Sequence, residues 1–210
     1  MKSFIAHYFL TVYKPRKSFE ELILKDDLYK RSLVYISIPI VCYSLLYVFL
    51  TIAKGAPSTF TPWLNIPKEN YYSINRFLLA PSMIICWFTA TSFIQVVSRL
   101  LGGTGTFEQT LSTIALSISI AMWGALIHDL PMSFLSAVGV IDAKQHEIAM
   151  NSPTIFRTIL WICYSIYFIA FFVLFPISVR VVHKLNPIKS IIIGSLAFII
   201  FQTIFLIFNR

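Results

Sequence analysis

LLGGTGTFEQTLSTIALSISIAMWGALI, residues 100–127, decides how this chain is read. Gly102, Gly103 and Gly105 permit a tight turn. Thr106 and Gln109 then stand at the spacing at which two side chains cap a helix start reciprocally. From Thr110 to Ile127 no charged residue occurs. Phe107–Ile127 is therefore a span of bilayer length, for which about 20 apolar residues suffice. Its Ser112, Ala115, Ser117, Ser119, Ala121, Gly124 and Ala125 make it rich in small side chains. In lipid, small residues let helix backbones approach closely, which predicts a place at the centre of a bundle.

Four further spans lie around it. Upstream, Leu33–Ala53 and Phe77–Ser98 are uncharged. Between them, Pro57, Pro62 and Pro67 argue against a continuous helix, and Trp63, Tyr71 and Tyr72 suit an aromatic belt at headgroup level. Downstream, Ser152 and Pro153 form an N-cap and first-turn pair opening a span to about Val179, with a kink expected at Pro176. Asn186 and Pro187 repeat that signal before a fifth span, Ile188–Phe208. His128–Ser152 reads as too polar to cross, although Pro131–Ile141 could dip into the interface. At the other end, Phe4, Tyr8 and Val12, with Ile5 and Phe9 beside them, recur at helical spacing suited to a bilayer surface. Pro15 breaks that pattern, and Ser18 with Glu21 has capping-box spacing for a short amphipathic helix to about Lys30.

Composition agrees with lipid as the solvent. The chain is 57% hydrophobic and only 12% charged, with a mean hydropathy of +0.76. Soluble domains carry roughly 25% charged residues, enough to cover a water-facing surface. The expected fold is all-α: a polytopic bundle of about five transmembrane helices. Residues 1–32 form a cytoplasmic amphipathic segment ahead of a 33–210 transmembrane domain. Cys42, Cys86 and Cys163 all fall in apolar runs, which argues against a disulfide framework. The first residues lack a small-residue cleavage pattern, so no signal peptide is expected to be removed.

The net charge of +8 is explained by orientation rather than by nucleic acid. With the N-terminus inside, the inner segments hold Lys2, Lys14, Arg16, Lys17, Lys25, Lys30, Arg31, Arg99, Arg180, Lys184 and Lys189. The outer segments hold Lys54, Lys68, Arg76, Lys144, Arg157 and Arg210, so the count is eleven against six. Basic residues favour the cytoplasmic side, which puts the N-terminus in the cytoplasm and the C-terminus outside.

Little in the sequence suggests catalysis. The central turns of the spans hold no ionisable side chain, whereas proton-coupled carriers and intramembrane proteases usually place such groups there. The four histidines all fall outside the predicted spans, so no Ser-His-Asp constellation can be argued. Gly103, Thr104 and Gly105 are not followed by the Gly-Lys-Ser/Thr of a phosphate loop. The one cluster of ligand-type side chains is in the outer loop: His128, Asp129, Asp142, His146 and Glu147. Asp142 and His146 would share a helix face suited to a divalent metal, but Met150 stands where a zincin would carry its second histidine. A solvated polar loop explains the cluster without metal. No catalytic residue, cofactor or metal is therefore assigned.

Three features together resemble the Yip1 family of five-span membrane proteins. They are the Pro15-x-x-x-Phe19 start before an amphipathic segment, the LGGTGTFEQTLSTIALS turn and helix followed by Pro131, and the last helix pair joined by RVVHKLNPIKS. The resemblance covers most of the chain and is nearest to the short bacterial and archaeal members. It implies a helical bundle with a cytosolic N-terminus in the cell membrane of a prokaryote, and it supplies no catalytic residues. Eukaryotic relatives are associated with Rab GTPases through a long cytosolic N-terminal region; the thirty or so residues ahead of the first span here argue against Rab-type binding. The expected function is non-enzymatic, through contacts with the lipid bilayer and with another integral membrane protein or a second copy. The protein would organise membrane or serve as an accessory subunit. The alternative is a small solute transporter or channel lined by Gln95, Ser112, Ser119 and Gln202.

Overall fold

The computed structural model describes residues 2–57 and 64–209, so Pro62 and Trp63 of the first interhelical segment lie outside the described residues. In chain order the α-helices are α1 (Lys2–Tyr13), α2 (Pro15–Leu22), α3 (Leu28–Ile52), α4 (Tyr71–Leu100), α5 (Phe107–Ala121), α6 (Trp123–Ala137), α7 (Ala143–Asn151), α8 (Ile155–His183) and α9 (Pro187–Asn209). No strand occurs among the described residues. Four helices, α3, α4, α8 and α9, are long and apolar enough to cross a bilayer, and α5 with α6 makes a fifth crossing if the bent pair is one span. The chain is a multi-pass membrane bundle.

The bend corrects the single third span. α5 and α6 meet at Met122 with an angle of 47°, and α6 runs on to Ala137 through His128, Asp129 and Pro131. The segment after Ile127 is therefore helix, not loop. The start is as expected: Thr106 Oγ1 accepts from Gln109 N at 3.3 Å and Gln109 Oε1 accepts from Thr106 N at 3.1 Å. Every residue from Thr110 to Ser119 is buried. A helix buried all round belongs at the centre of a bundle. Accordingly α5 packs against α3, α4 and α8, while α9 lies along α4 and α8.

Several boundaries move. The Ser18–Lys30 helix is replaced by α2, which Pro15 opens, and by a turn through Lys25 and Asp26. α3 begins at Leu28 and so takes in Lys30 and Arg31. Arg31 donates to Asp27 one turn earlier, and its guanidinium lies 4.4 Å from the Phe4 ring centroid. Sharing its charge between a carboxylate and an aromatic face lets Arg31 sit nearly buried. Tyr71 and Tyr72 face inward and are buried, the Tyr72 ring tilted against that of Tyr47 at 5.7 Å, instead of forming an exposed belt. α8 is capped by Thr154, not Ser152, and continues to His183. Asn186 does cap α9, its Oδ1 accepting from Lys189 N at 2.9 Å.

Packing between the last two helices is close. A Cβ on Gly194 would stand 2.5 Å from the Pro176 backbone nitrogen, so only glycine permits this crossing. Around it Phe171, Phe175, Phe198 and Phe201 form an aromatic cluster, the Phe171 and Phe198 rings stacked at 4.7 Å. The outer sides of these helices are apolar too: Ile166, Ile169, Ile191 and Ile192 are each more than half exposed. Such a surface is soluble in lipid and not in water.

Candidate functional site

Two ends of the bundle collect the polar residues. At one end the turn after α4 is wedged under the end of α8. Thr104 N donates to His183 O at 3.3 Å, and a Cβ on Gly105 would lie 2.3 Å from Val182 Cγ1. The glycines thus serve a close approach of backbone to helix, not phosphate. Gln109 Nε2 reaches Ile23 O at 3.4 Å, and Lys189 Nζ reaches Leu101 O at 3.4 Å, tying the α2 end and the α9 start to the same end.

Beneath that turn lies a buried polar knot. Gln95 Nε2 donates to Gly105 O at 3.1 Å. Thr110 Oγ1 is 2.9 Å from Gln95 Oε1 and 3.0 Å from His183 Nε2. A proton on His183 Nε2 lets the ring donate to Thr110, which in turn donates to Gln95. Farther in, Ser178 Oγ donates to Thr113 Oγ1 at 2.6 Å. Tyr167 OH donates to Gln202 Oε1 at 2.6 Å. The side-chain pairs each join two different helices, and the Gln95–Gly105 bond joins α4 to the turn; in an apolar medium an unsatisfied polar group is costly. Of the residues proposed as a solute lining, Gln95 and Gln202 are held in these bonds and Ser119 Oγ lies 3.1 Å from Tyr8 OH, while Ser112 is fully buried in α5 with its hydroxyl unpaired.

The α5–α6 elbow has its own clamp. Tyr8 OH of α1 accepts from Trp123 Nε1 and lies 3.0 Å from Ser119 O. Phe4 and Tyr8 thus turn toward the bundle, while Ile5, Phe9, Val12 and Tyr13 form the exposed side of α1. The spacing put Phe4, Tyr8 and Val12 together on a bilayer surface; the structure turns Phe4 and Tyr8 inward and leaves Val12 exposed, and nothing in the sequence shows a tyrosine reaching a tryptophan 115 positions away.

At the opposite end the five ligand-type residues separate. His128 Nδ1 and Asp129 Oδ1 are 2.8 Å apart, and the His128 and His146 rings stack at 5.7 Å. Asp142 stands one turn before His146, but as the cap of α7 its Oδ1 accepts from Gln145 N at 2.9 Å, so the carboxylate is engaged by the helix start. Glu147 Oε1 accepts from Tyr72 OH at 3.4 Å. Among the described residues no group of three or more His, Cys, Asp or Glu is arranged to hold a metal ion. Burial, and then the neighbouring His128, hold the His146 imidazole below its ordinary pKa. Two of the histidines expected outside the spans, His128 and His183, lie on spanning helices.

Charge divides unequally between the ends. Setting aside Lys2 and Arg210, the α2–Gly105–α8 end holds ten basic and five acidic residues, a net of 10 − 5 = +5. The α7 end holds five basic and four acidic, 5 − 4 = +1. Adding Lys2 and Arg210 recovers the +8 of the chain. A cleft of about 680 Å³ opens at the basic end between α2 and the α8–α9 joint, and one of about 290 Å³ at the other. No curated protein and no solved structure matches the chain significantly. One protein-family model does: it is described as the Yip1 domain and matches residues 9–208.

Proposed function

Because the chain belongs to the Yip1 family of membrane proteins, we propose that it works without catalysis, through its contacts with lipid and with other membrane proteins or a second copy. It organises the membrane or serves as an accessory subunit of a membrane complex in the cell membrane of a prokaryote. The observation that carries this reading is the use of interior polar groups: Gln95, Thr110, Ser178 and Gln202 bond one helix to another. Function then falls mainly to the outer surface, namely the apolar side of α1 and the basic end, although Asn75, Thr91, Ser98 and Ser112 are buried polar groups that these bonds leave unpaired. Ten basic residues at the α2–Gly105–α8 end against five at the α7 end support a cytoplasmic N-terminus and an outside C-terminus.

Crosslinking and co-purification in mild detergent test the proposal. Wild-type protein is expected to bring down a partner or itself, and an Ile5→Ser/Phe9→Ser variant of the exposed α1 side is expected to bring down several-fold less. Recovery of neither from wild type would overturn it. Liposome flux addresses the transport alternative: solute-specific uptake abolished by Gln95→Leu would replace this reading with a carrier.

A further inference from the structure

We propose that the cleft between α2 and the α8–α9 joint binds the phosphate-bearing headgroup of an anionic phospholipid. This deepens the reading above and rests on it, since it names one of the lipid contacts. Arg16 of α2, Arg180 of α8 and Lys184 at its end all line the cleft. Its one carboxylate, Glu20, is already engaged by Arg16 Nε at 2.8 Å. The lining therefore carries three positive charges against one negative. Arg180 and Lys184 have no carboxylate within ion-pair distance among the described residues.

Geometry adds to the charge. The 23-residue helix α9 begins at the cleft with Pro187; Asn186 caps its Lys189 N–H, and the positive end of the helix dipole adds to the cationic potential there. Ile23, Val181 and Leu185 supply apolar wall between the charges. In the first turns of α9 after Pro187, Ile188, Ile191 and Ile192 are each more than half exposed and offer acyl chains an apolar surface beside the cleft-lining residues. Free phosphate would use the cations but not that surface, and the combination selects a lipid.

Native mass spectrometry of the full chain in detergent, with phosphatidylglycerol or phosphatidylcholine added, tests the site. Wild type is expected to retain phosphatidylglycerol preferentially. An Arg180→Gln/Lys184→Asn variant is expected to lose roughly tenfold or more of that retention, as two basic residues near an anionic surface count strongly. Asn is chosen because Lys184 has φ 55° and asparagine tolerates that backbone. Arg16→Gln, on a separate element, is expected to act in the same direction, which guards against misfolding of the double variant. Lys68→Gln at the other end should change nothing. Equal retention of the two lipids, no loss in the double variant, an equal loss in Lys68→Gln, or displacement of the lipid by inorganic phosphate would each overturn the proposal. Micelles impose no orientation and need no partner. Failure here leaves the broader role standing, and failed partner capture with intact lipid retention strikes only that role.

Discussion

Tyr8 holds the most informative position among single residues. Its hydroxyl accepts from Trp123 and touches Ser119, so it fastens the N-terminal helix to the break in the central crossing. Tyr8→Phe leaves the Trp123 indole without that acceptor at a part-buried site. The expected cost is about 1–2 kcal/mol, measured as a lower melting temperature in detergent. His146 gives a second residue-scale prediction. It faces the His128 ring, with Asp129 and Glu147 the nearest carboxylates. Its folded pKa lies below the ordinary 6.5, so below that pH the unfolded chain binds more protons than the folded one. Stability is complete above about pH 6.5 and declines as the pH falls toward the folded value. Melting curves across that range should slope for wild type and flatten for His146→Gln; equal slopes would refute the assignment. Neither contact was legible in sequence. Spacing shows which residues share a helix side, but not which distant side chains meet.

Individual elements were legible wherever a cap or a breaker marks them. The Thr106–Gln109 box and the Asn186–Pro187 start stand where the sequence puts them, because capping is local chemistry. The early start of α3 was hidden, since Lys30 and Arg31 look like the edge of a span until Asp27 and Phe4 accommodate the charge. The break at Met122 was hidden as well: it carries no proline or glycine of its own and sits inside an uncharged run. Close helix crossings give the prediction at this scale. Gly194→Ala drives a methyl group into the Pro176 backbone and must push α9 off α8. A loss of about 1–3 kcal/mol is expected, read as reduced melting temperature. Unchanged melting would show that the crossing is looser than 2.5 Å implies.

For the whole molecule, composition and hydropathy were sufficient to give an all-helical membrane bundle, because too few charged residues exist to cover a soluble surface. The centrality of α5 was also legible, from its serines and alanines. The joining of α2, the glycine turn, the end of α8 and the start of α9 into one basic end was not, since it depends on tertiary packing across the chain. That joining gives the account its central claim: the basic end and the α7 end face opposite sides of the membrane. Lys25 and Lys144 are exposed, one at each end. With each replaced in turn by cysteine, an impermeant thiol reagent applied to intact cells should label Lys144→Cys and should reach Lys25→Cys only after the membrane is opened. Labelling of both from the same side of intact cells would contradict it.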